Sequence, residues 1–146
     1  MAKFVYEMQN ILNIKLKLEN QAKIAYGQAN HAYQEAQMKL QQLVLKRVNY
    51  ESILESLLEG TIDVPKIKHA REDVNTMKTL CRRQMMEVRK AELTLEDARK
   101  ALEEIMKERK TQEILKEKAF DEFKKELLRQ ESKEIDELVS YTYNPN

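Results

Sequence analysis

Two histidines and one cysteine are the residues of this sequence best suited to metal binding or nucleophilic chemistry. His31, His69 and Cys81 lie far apart along the chain, and none has a second histidine or cysteine at metal-ligand spacing. A histidine without such companions is most often solvated, and a lone cysteine most often packs as a small apolar side chain. We therefore expect exposed histidines, a buried Cys81 and no metal site.

Glycines and carboxylates are likewise not arranged as a catalytic or phosphate-binding site. Gly27 and Gly60 are the only glycines, too few for a glycine-rich phosphate loop. The 25 acidic residues are interleaved with 26 basic ones, which gives a net charge of +1 and no long run of one sign. This pattern is typical of a solvated helical surface and not of an arm that binds nucleic acid. The sequence thus predicts no enzymatic activity, no cofactor, no nucleic-acid partner and no small-molecule substrate.

The composition predicts long helices. Charged residues make up 35% of the 146 residues, and only two glycines and two prolines interrupt a chain rich in strong helix formers. No apolar run approaches the roughly 20 residues that span a bilayer. The opening MAKFVYEMQ lacks the apolar core of a secretion signal, and the single cysteine fits a reducing compartment. We expect one cytosolic domain over residues 1–146.

The strong turn signals are all found between Glu59 and Pro65. Gly60 suits the C-terminal end of a helix, because glycine adopts the left-handed backbone conformation without steric cost. Asp63 can cap the next helix, and Pro65 suits its first turn, where a missing N–H leaves no hydrogen bond unmade. The predicted elements are a first helix over about 3–58, a turn over about 59–64 and a second helix over about 65–141.

Apolar residues recur in steps of three and four along both helices, which is the pattern of a heptad seam. A short turn between two such helices makes them antiparallel neighbours. We predict an all-α fold: two long helices in an antiparallel, left-handed coiled-coil hairpin, with the second helix overhanging the first. The predicted seam of the first helix contains Phe4, Met8, Ile11, Leu18, Ala22, Ala25, Ala29, Ala32, Ala36, Leu40, Leu43, Tyr50, Leu54 and Leu57. That of the second contains Ile67, Ala70, Val74, Met77, Cys81, Val88, Ala91, Leu95, Ala98, Leu102 and Ile105. The polar residues that interrupt the seams are Arg47, Gln84, Arg109, Gln112 and Lys116.

The stretch from Ala22 to Ala36 places alanine at five successive positions of the predicted seam, which would let the two helices approach closely. In this phase Tyr26 and Tyr33 fall outside the seam. Gly27 lies in the same stretch and costs about 1 kcal/mol relative to alanine in a helix. We expect Gly27 to be a tolerated, outward-facing residue, with a local bend of the helix as the alternative.

Two surfaces are candidates for partner binding. If the helices pair about Gly60, Phe4 lies opposite the region of Ala119, and the remainder of the second helix has no partner in its own chain. An apolar stripe there predicts an external partner, with a frayed helix end or a small helix-to-helix repacking at the terminus as the alternative. Its apolar residues are Phe120, Phe123, Leu127, Ile135 and Leu138. A second candidate surface near the turn contains Leu45, Tyr50 and Leu80.

Both ends of the sequence carry patterns of a known family. The opening KFVYEMQNILNIKLKLENQAKIAYGQA, the single turn near the middle and the closing KAFDEFKKELLRQESKEIDELVSY together resemble the flagellar export family FliJ. The most specific parts are Phe4-x-Tyr6-x-x-Gln9-x-x-Leu12 and Glu131-x-x-x-x-Asp136-Glu137. The resemblance covers the full chain.

The resemblance implies a component of the cytosolic part of the flagellar type III secretion apparatus, similar in shape to the central stalk subunit of rotary ATPases. Members of this family bind the export ATPase ring and promote its hexamer, link the ring to the membrane-embedded export gate, and help export chaperones to cycle. It also implies a cytoplasmic location, peripheral to the cell membrane at the flagellar basal body, and a role in motility. The overhang and the termini would lie toward the ATPase and the turn half toward the gate, and an alanine-lined waist would suit passage through a ring. By position along the hairpin, the gate-facing residues are Lys39, Leu43, Lys46, Tyr50, Met77, Leu80 and Gln84.

Other functions stay open at the level of sequence. The equivalent stalk of a virulence secretion system would share this pattern of helices and charge. A structural coiled coil could instead self-associate by pairing the overhangs of two chains. A prefoldin-like holdase would need exposed apolar helix ends, whereas the turn Glu59-Gly60-Thr61 is polar.

Overall fold

The structure, a computed structural model, describes residues 2–143, and all regular secondary structure within them is α-helical. Helix α1 spans Gln9–Leu57 and helix α2 spans Val64–Tyr143, and no strand occurs in this part of the chain. The two helices pack against each other as an antiparallel hairpin, which confirms the predicted fold class. The left-handed winding stays a prediction.

The turn between the helices uses the residues that the sequence indicates. Gly60 has a φ of 76°, the left-handed conformation that favours glycine after a helix end. The carboxylate of Asp63 accepts a hydrogen bond of 3.3 Å from the backbone N–H of Lys66, and its carbonyl accepts one of 3.1 Å from Ile67. Asp63 is therefore the N-cap of α2, because it satisfies amide groups that have no partner within the helix.

The described chain divides into two compact units. The turn unit comprises residues 22–102, with the turn and the helical segments beside it. The terminal unit comprises residues 2–21 and 103–143 of the described chain. Within the turn unit the two helical segments bury a narrow core, in which Cys81 is 1% exposed, as predicted. The other buried apolar residues of this core are Ala29, Ala70, Val74 and Met77.

In the turn unit, the structure corrects the phase of the predicted seam. Ala25 and Ala32 are exposed, whereas Tyr26 and Tyr33 are half-buried. A buried tyrosine removes far more apolar area from water than a buried alanine, so this phase stabilises the packed helices more. The hydroxyl of Tyr33 reaches the rim, where it accepts a 2.8 Å hydrogen bond from Nε2 of Gln37. Of the five alanines predicted on the seam, Ala25 and Ala32 are therefore wrong, while Ala22, Ala29 and Ala36 keep their predicted positions.

The same shift of one residue occurs on α1 in the terminal unit. Ile11 and Leu18, both predicted on the seam, are 38% exposed, while Leu12 and Glu19 are each 4% exposed. Glu19 is buried because Arg109 lies across from it. The Arg109 guanidinium donates two hydrogen bonds to the Glu19 carboxylate, of 2.7 and 3.1 Å, and a third of 2.9 Å to Glu113.

This buried ion pair sets the register of the terminal unit, since a polar seam residue is stable only opposite its partner. Glu19 and then Glu113 raise the pKa of Arg109 above its ordinary value by hydrogen bonding to the charged guanidinium. In the turn unit Gln84 has a comparable role. Its side-chain amide, buried at a seam position, donates a 2.9 Å hydrogen bond to the carbonyl of Ala36 on the other helix.

Residues 2–8 precede α1 and are not helical, although the sequence predicts a helix from residue 3. Phe4 nevertheless packs on α2, with its ring centroid 5.0 Å from that of Phe120 and 5.4 Å from that of Phe123. The hydroxyl of Tyr6 donates a 3.2 Å hydrogen bond to the side chain of Gln112. The predicted position of Phe4 beside Ala119 therefore agrees with the structure, because both contacts lie within four residues of that alanine.

Candidate functional site

A groove between the two helices of the turn unit is the best candidate for a binding site. It has a volume of about 570 Å³ and an apolar floor that includes Leu43 and Leu80. We call it the turn-unit groove. Its lining residues are Lys39, Leu43, Leu80, Arg83, Gln84, Met86, Glu87 and Lys90.

A second, shallower groove adjoins the first on the same face of the turn unit. The two share Lys39, Gln84, Glu87 and Lys90 as lining residues, so they form one continuous depression. Small side chains form much of the added wall, and such side chains allow the close approach of another backbone. These small residues are Ala32, Ala36, Ala91 and Thr94.

The charges of the turn-unit groove are mostly positive. Lys39, Arg83 and Lys90 line it, against the single carboxylate of Glu87. Glu87 is 3.4 Å from the ammonium group of Lys90, whereas neither Lys39 nor Arg83 forms an ion pair within residues 2–143. Both unpaired side chains are exposed, so the groove presents two positive charges beside apolar surface. This arrangement suits a partner with apolar and acidic side chains.

Four of the seven gate-facing residues expected from the sequence line this groove: Lys39, Leu43, Leu80 and Gln84. Lys46 is exposed and Tyr50 half-buried, each one heptad beyond a lining residue of α1. Met77 and Gln84 are each 7% exposed, so they support the surface from below instead of offering side chains to a partner.

Sequence reasoning missed four residues of the groove: Arg83, Met86, Glu87 and Lys90. Arg83 immediately precedes the seam residue Gln84, and a residue flanking the seam could have been identified as groove-lining. Met86 is 63% exposed and lies outside the predicted seam. The second predicted surface near the turn is dispersed, because Leu45 is 70% exposed on α1 but Leu80 turns into the groove.

The end of α2 is the other surface that the sequence predicts for partner binding. The structure divides its predicted residues into two groups. Phe120 and Phe123 contact Phe4, so these two have a partner in their own chain. Leu127 is half-buried. Beyond it every residue from 128 to 143 is exposed, including Ile135 at 60% and Leu138 at 67%. We call residues 128–143 the C-terminal segment.

The C-terminal segment also contains exposed apolar residues that the sequence prediction omitted. Leu128 is 65% exposed and Val139 is 48% exposed. On a helix, Leu128, Ile135 and Leu138 share one face, since they are spaced by seven and three residues. The described chain therefore ends in a helical segment whose apolar face has no intramolecular cover.

The residues best suited to chemistry lie apart from each other. His31 is 3.0 Å from the carboxylate of Glu35 and His69 is 3.7 Å from that of Asp73, each at the exposed surface of its own helix. Within residues 2–143, no group of three or more histidine, cysteine, aspartate or glutamate side chains is placed to hold a metal ion. In the same part of the chain, no helix is long and apolar enough to cross a membrane.

Comparison with known proteins gives one match. The model of the family described as "Flagellar FliJ protein" matches residues 4–146. No curated protein and no solved structure matches the sequence.

Proposed function

The chain belongs to the FliJ family and is a flagellar export-associated protein, and from this premise we propose that it acts as the stalk and adaptor of the export ATPase. In this role it binds the ATPase ring, promotes assembly of the ring, and connects the ring to the export gate and to export chaperones. The match of the family model over residues 4–146 carries the proposal. Its place of action is the cytoplasmic face of the cell membrane at the flagellar basal body.

The C-terminal segment supports ATPase binding. Its apolar face is uncovered in the isolated chain, and an exposed apolar helix face is characteristic of a surface that another protein covers. The neighbouring residues Phe120, Phe123 and Leu127 already pack in the terminal unit. We assign them the role of anchoring the segment, while Ile135 and Leu138 contact the ATPase.

The turn-unit groove supports binding of the gate or of a chaperone. Its floor is apolar and its unpaired charges are positive, so an acidic amphipathic helix is the partner chemistry that fits it. The proposed contact residues are Lys39, Leu43, Lys46, Tyr50 and Leu80, with Met77 and Gln84 beneath them.

The test is a titration of the purified chain into the cognate flagellar export ATPase, with hydrolysis rate and ring assembly measured together. We expect saturable stimulation and hexamer formation. The variant Ile135→Ala/Leu138→Ala should lower the apparent affinity for the ATPase at least roughly tenfold in both measurements, because two exposed anchors of an interface are lost. No stimulation of an ATPase preparation known to be active would contradict the proposal.

A matched control separates this effect from a general loss of apolar surface. Val48 and Leu93 are 55% and 50% exposed in the turn unit, outside the turn-unit groove. The variant Val48→Ala/Leu93→Ala removes comparable apolar side chains and should stimulate the ATPase like the unmodified chain. Equal losses in the two variants would show that the C-terminal segment has no specific role.

A further inference from the structure

Two places on the surface expose apolar side chains beside unpaired charges, and the unpaired charges of the two places are opposite in sign. The C-terminal segment contains Glu131, Glu134, Asp136 and Glu137 against Arg129 and Lys133. None of these four carboxylates forms an ion pair within the described residues, while Arg129 lies 3.4 Å from Glu126. The turn-unit groove has the opposite character, with Lys39 and Arg83 unpaired. The two carboxylates of the groove and its extension both have a neighbour, since Glu87 lies 3.4 Å from Lys90 and Glu35 lies 3.0 Å from His31.

The two surfaces also agree in size and apolar content. The C-terminal segment contains 16 helical residues and is about 24 Å long. On α2 the groove and its shallower extension run from Leu80 to Thr94, which is about 22 Å. The groove offers Leu43, Leu80 and Met86, and the segment offers an uncovered apolar face.

We propose that the turn-unit groove binds the acidic C-terminal segment of a second copy of this chain. Ile135 and Leu138 of the segment lie on the apolar floor, and its carboxylates face Lys39 and Arg83. A twofold axis repeats the contact, so that each copy covers the groove of the other. Closed twofold dimers are the commonest symmetric assemblies, and the reciprocal contact leaves neither surface free to extend the assembly.

Self-association of this kind regulates access to both surfaces. In the dimer the acidic segment is unavailable to an ATPase and the groove is unavailable to a gate or chaperone. This consequence rests on the proposed function, because it assumes that those partners use the same surfaces. The contact itself does not, since it is measured with the purified chain alone.

Sedimentation velocity of the full chain over a range of concentrations tests the proposal. We expect a concentration-dependent dimer at about 0.05 M NaCl that dissociates at about 0.5 M, where charge interactions are screened within a few ångströms. Lys39→Glu/Arg83→Glu and Glu134→Lys/Asp136→Lys should each weaken dimerisation by roughly tenfold or more, because each places like charges in contact. All four positions are exposed, so helix content measured by circular dichroism should not change.

An equimolar mixture of the two charge-reversal variants provides the decisive measurement. Mixing restores opposite charges at each contact, so heterodimers should form at concentrations where each variant alone dimerises only weakly. The control variant Lys17→Glu/Lys118→Glu changes the net charge equally at exposed positions of the terminal unit and should dimerise like the unmodified chain.

Three results would overturn the proposal. A chain that stays monomeric at all concentrations leaves the groove to a different protein. A dimer that survives Lys39→Glu/Arg83→Glu but not Leu138→Asp pairs its C-terminal segments with each other. A mixture of the two reversal variants that stays monomeric shows that their charges do not meet.

Discussion

Substitution of Ala29 by leucine tests the corrected seam of the turn unit directly. Ala29 is 8% exposed, and it lies one heptad before Ala36, whose carbonyl binds Gln84. An antiparallel register therefore places Ala29 opposite the region of Ala91, one heptad after Gln84. Because Ala29 is buried opposite a region that contains another small residue, we expect the added carbon atoms of leucine to push the two helices apart.

The expected cost of Ala29→Leu is about 1–3 kcal/mol, which is the usual effect of overfilling a packed interface. For a chain of this size each kcal/mol lowers the melting temperature by about 2–4 °C, so the midpoint of thermal unfolding should fall by about 2–12 °C. Helix propensity does not explain such a loss, because leucine and alanine differ by only a few tenths of a kcal/mol. The measurement is urea unfolding followed by circular dichroism.

Ala25→Leu and Ala32→Leu are the matched controls, since they make the same change in the same helix at exposed positions. Both should change the free energy of unfolding by no more than about 0.5 kcal/mol. The reasoning is refuted if Ala32→Leu costs as much as Ala29→Leu. That result would place Ala32 against α2 and Tyr33 outside the seam.

Three further substitutions test local features of the chain. Gly27→Ala should raise the free energy of unfolding by about 0.5–1 kcal/mol in urea titrations, because a Cβ there meets no atom within 4 Å; a loss would indicate that the helix must bend at this position. Gly60→Ala should lower it by about 1 kcal/mol or more, since the φ of 76° strains any residue with a side chain; an unchanged midpoint would contradict that strain. The hydrogen bond from Arg99 lowers the pKa of Glu96 below its ordinary value. The ionised carboxylate therefore stabilises the fold at pH values above its unfolded pKa of about 4.3. This stabilisation is lost as the pH falls through the pKa of Glu96 in the folded chain. In Arg99→Ala the pKa of Glu96, followed by NMR of the carboxyl carbon, should rise toward its ordinary value, and an unchanged pKa would show that Arg99 is not its cause.

The sequence predicts the candidate surfaces only in part. Four residues of the turn-unit groove could be identified in advance, because the positions of residues along a hairpin follow from the turn at Gly60. Arg83 could also have been identified, because it flanks a predicted seam residue. Met86, Glu87 and Lys90 could not, since the sequence does not show how side chains beyond the seam are arranged around a groove. The contact of Phe4 with the apolar end of α2 could not be predicted from the sequence either. Residues 2–8 contact α2 without being helical, so the heptad pattern does not describe them.

The sequence by itself determined the two helices, the turn and the direction of pairing. These features depend on local rules: helix formers throughout, one glycine in a left-handed conformation, an aspartate N-cap and heptad spacing. The seam of α2 also follows from sequence, because its apolar residues fit a single phase.

Only the tertiary structure decided the phase of α1 between Ile11 and Tyr33. Two stripes with the same spacing compete there, one rich in alanine and the other containing Glu19, Tyr26 and Tyr33. The second stripe packs against α2 because of the residues of α2 that face it. Glu19 is buried because Arg109, 90 residues away, binds its carboxylate. Tyr26 and Tyr33 are half-buried because they remove more apolar area from water than the competing alanines would. Such pairings between distant residues leave no local signal in one sequence.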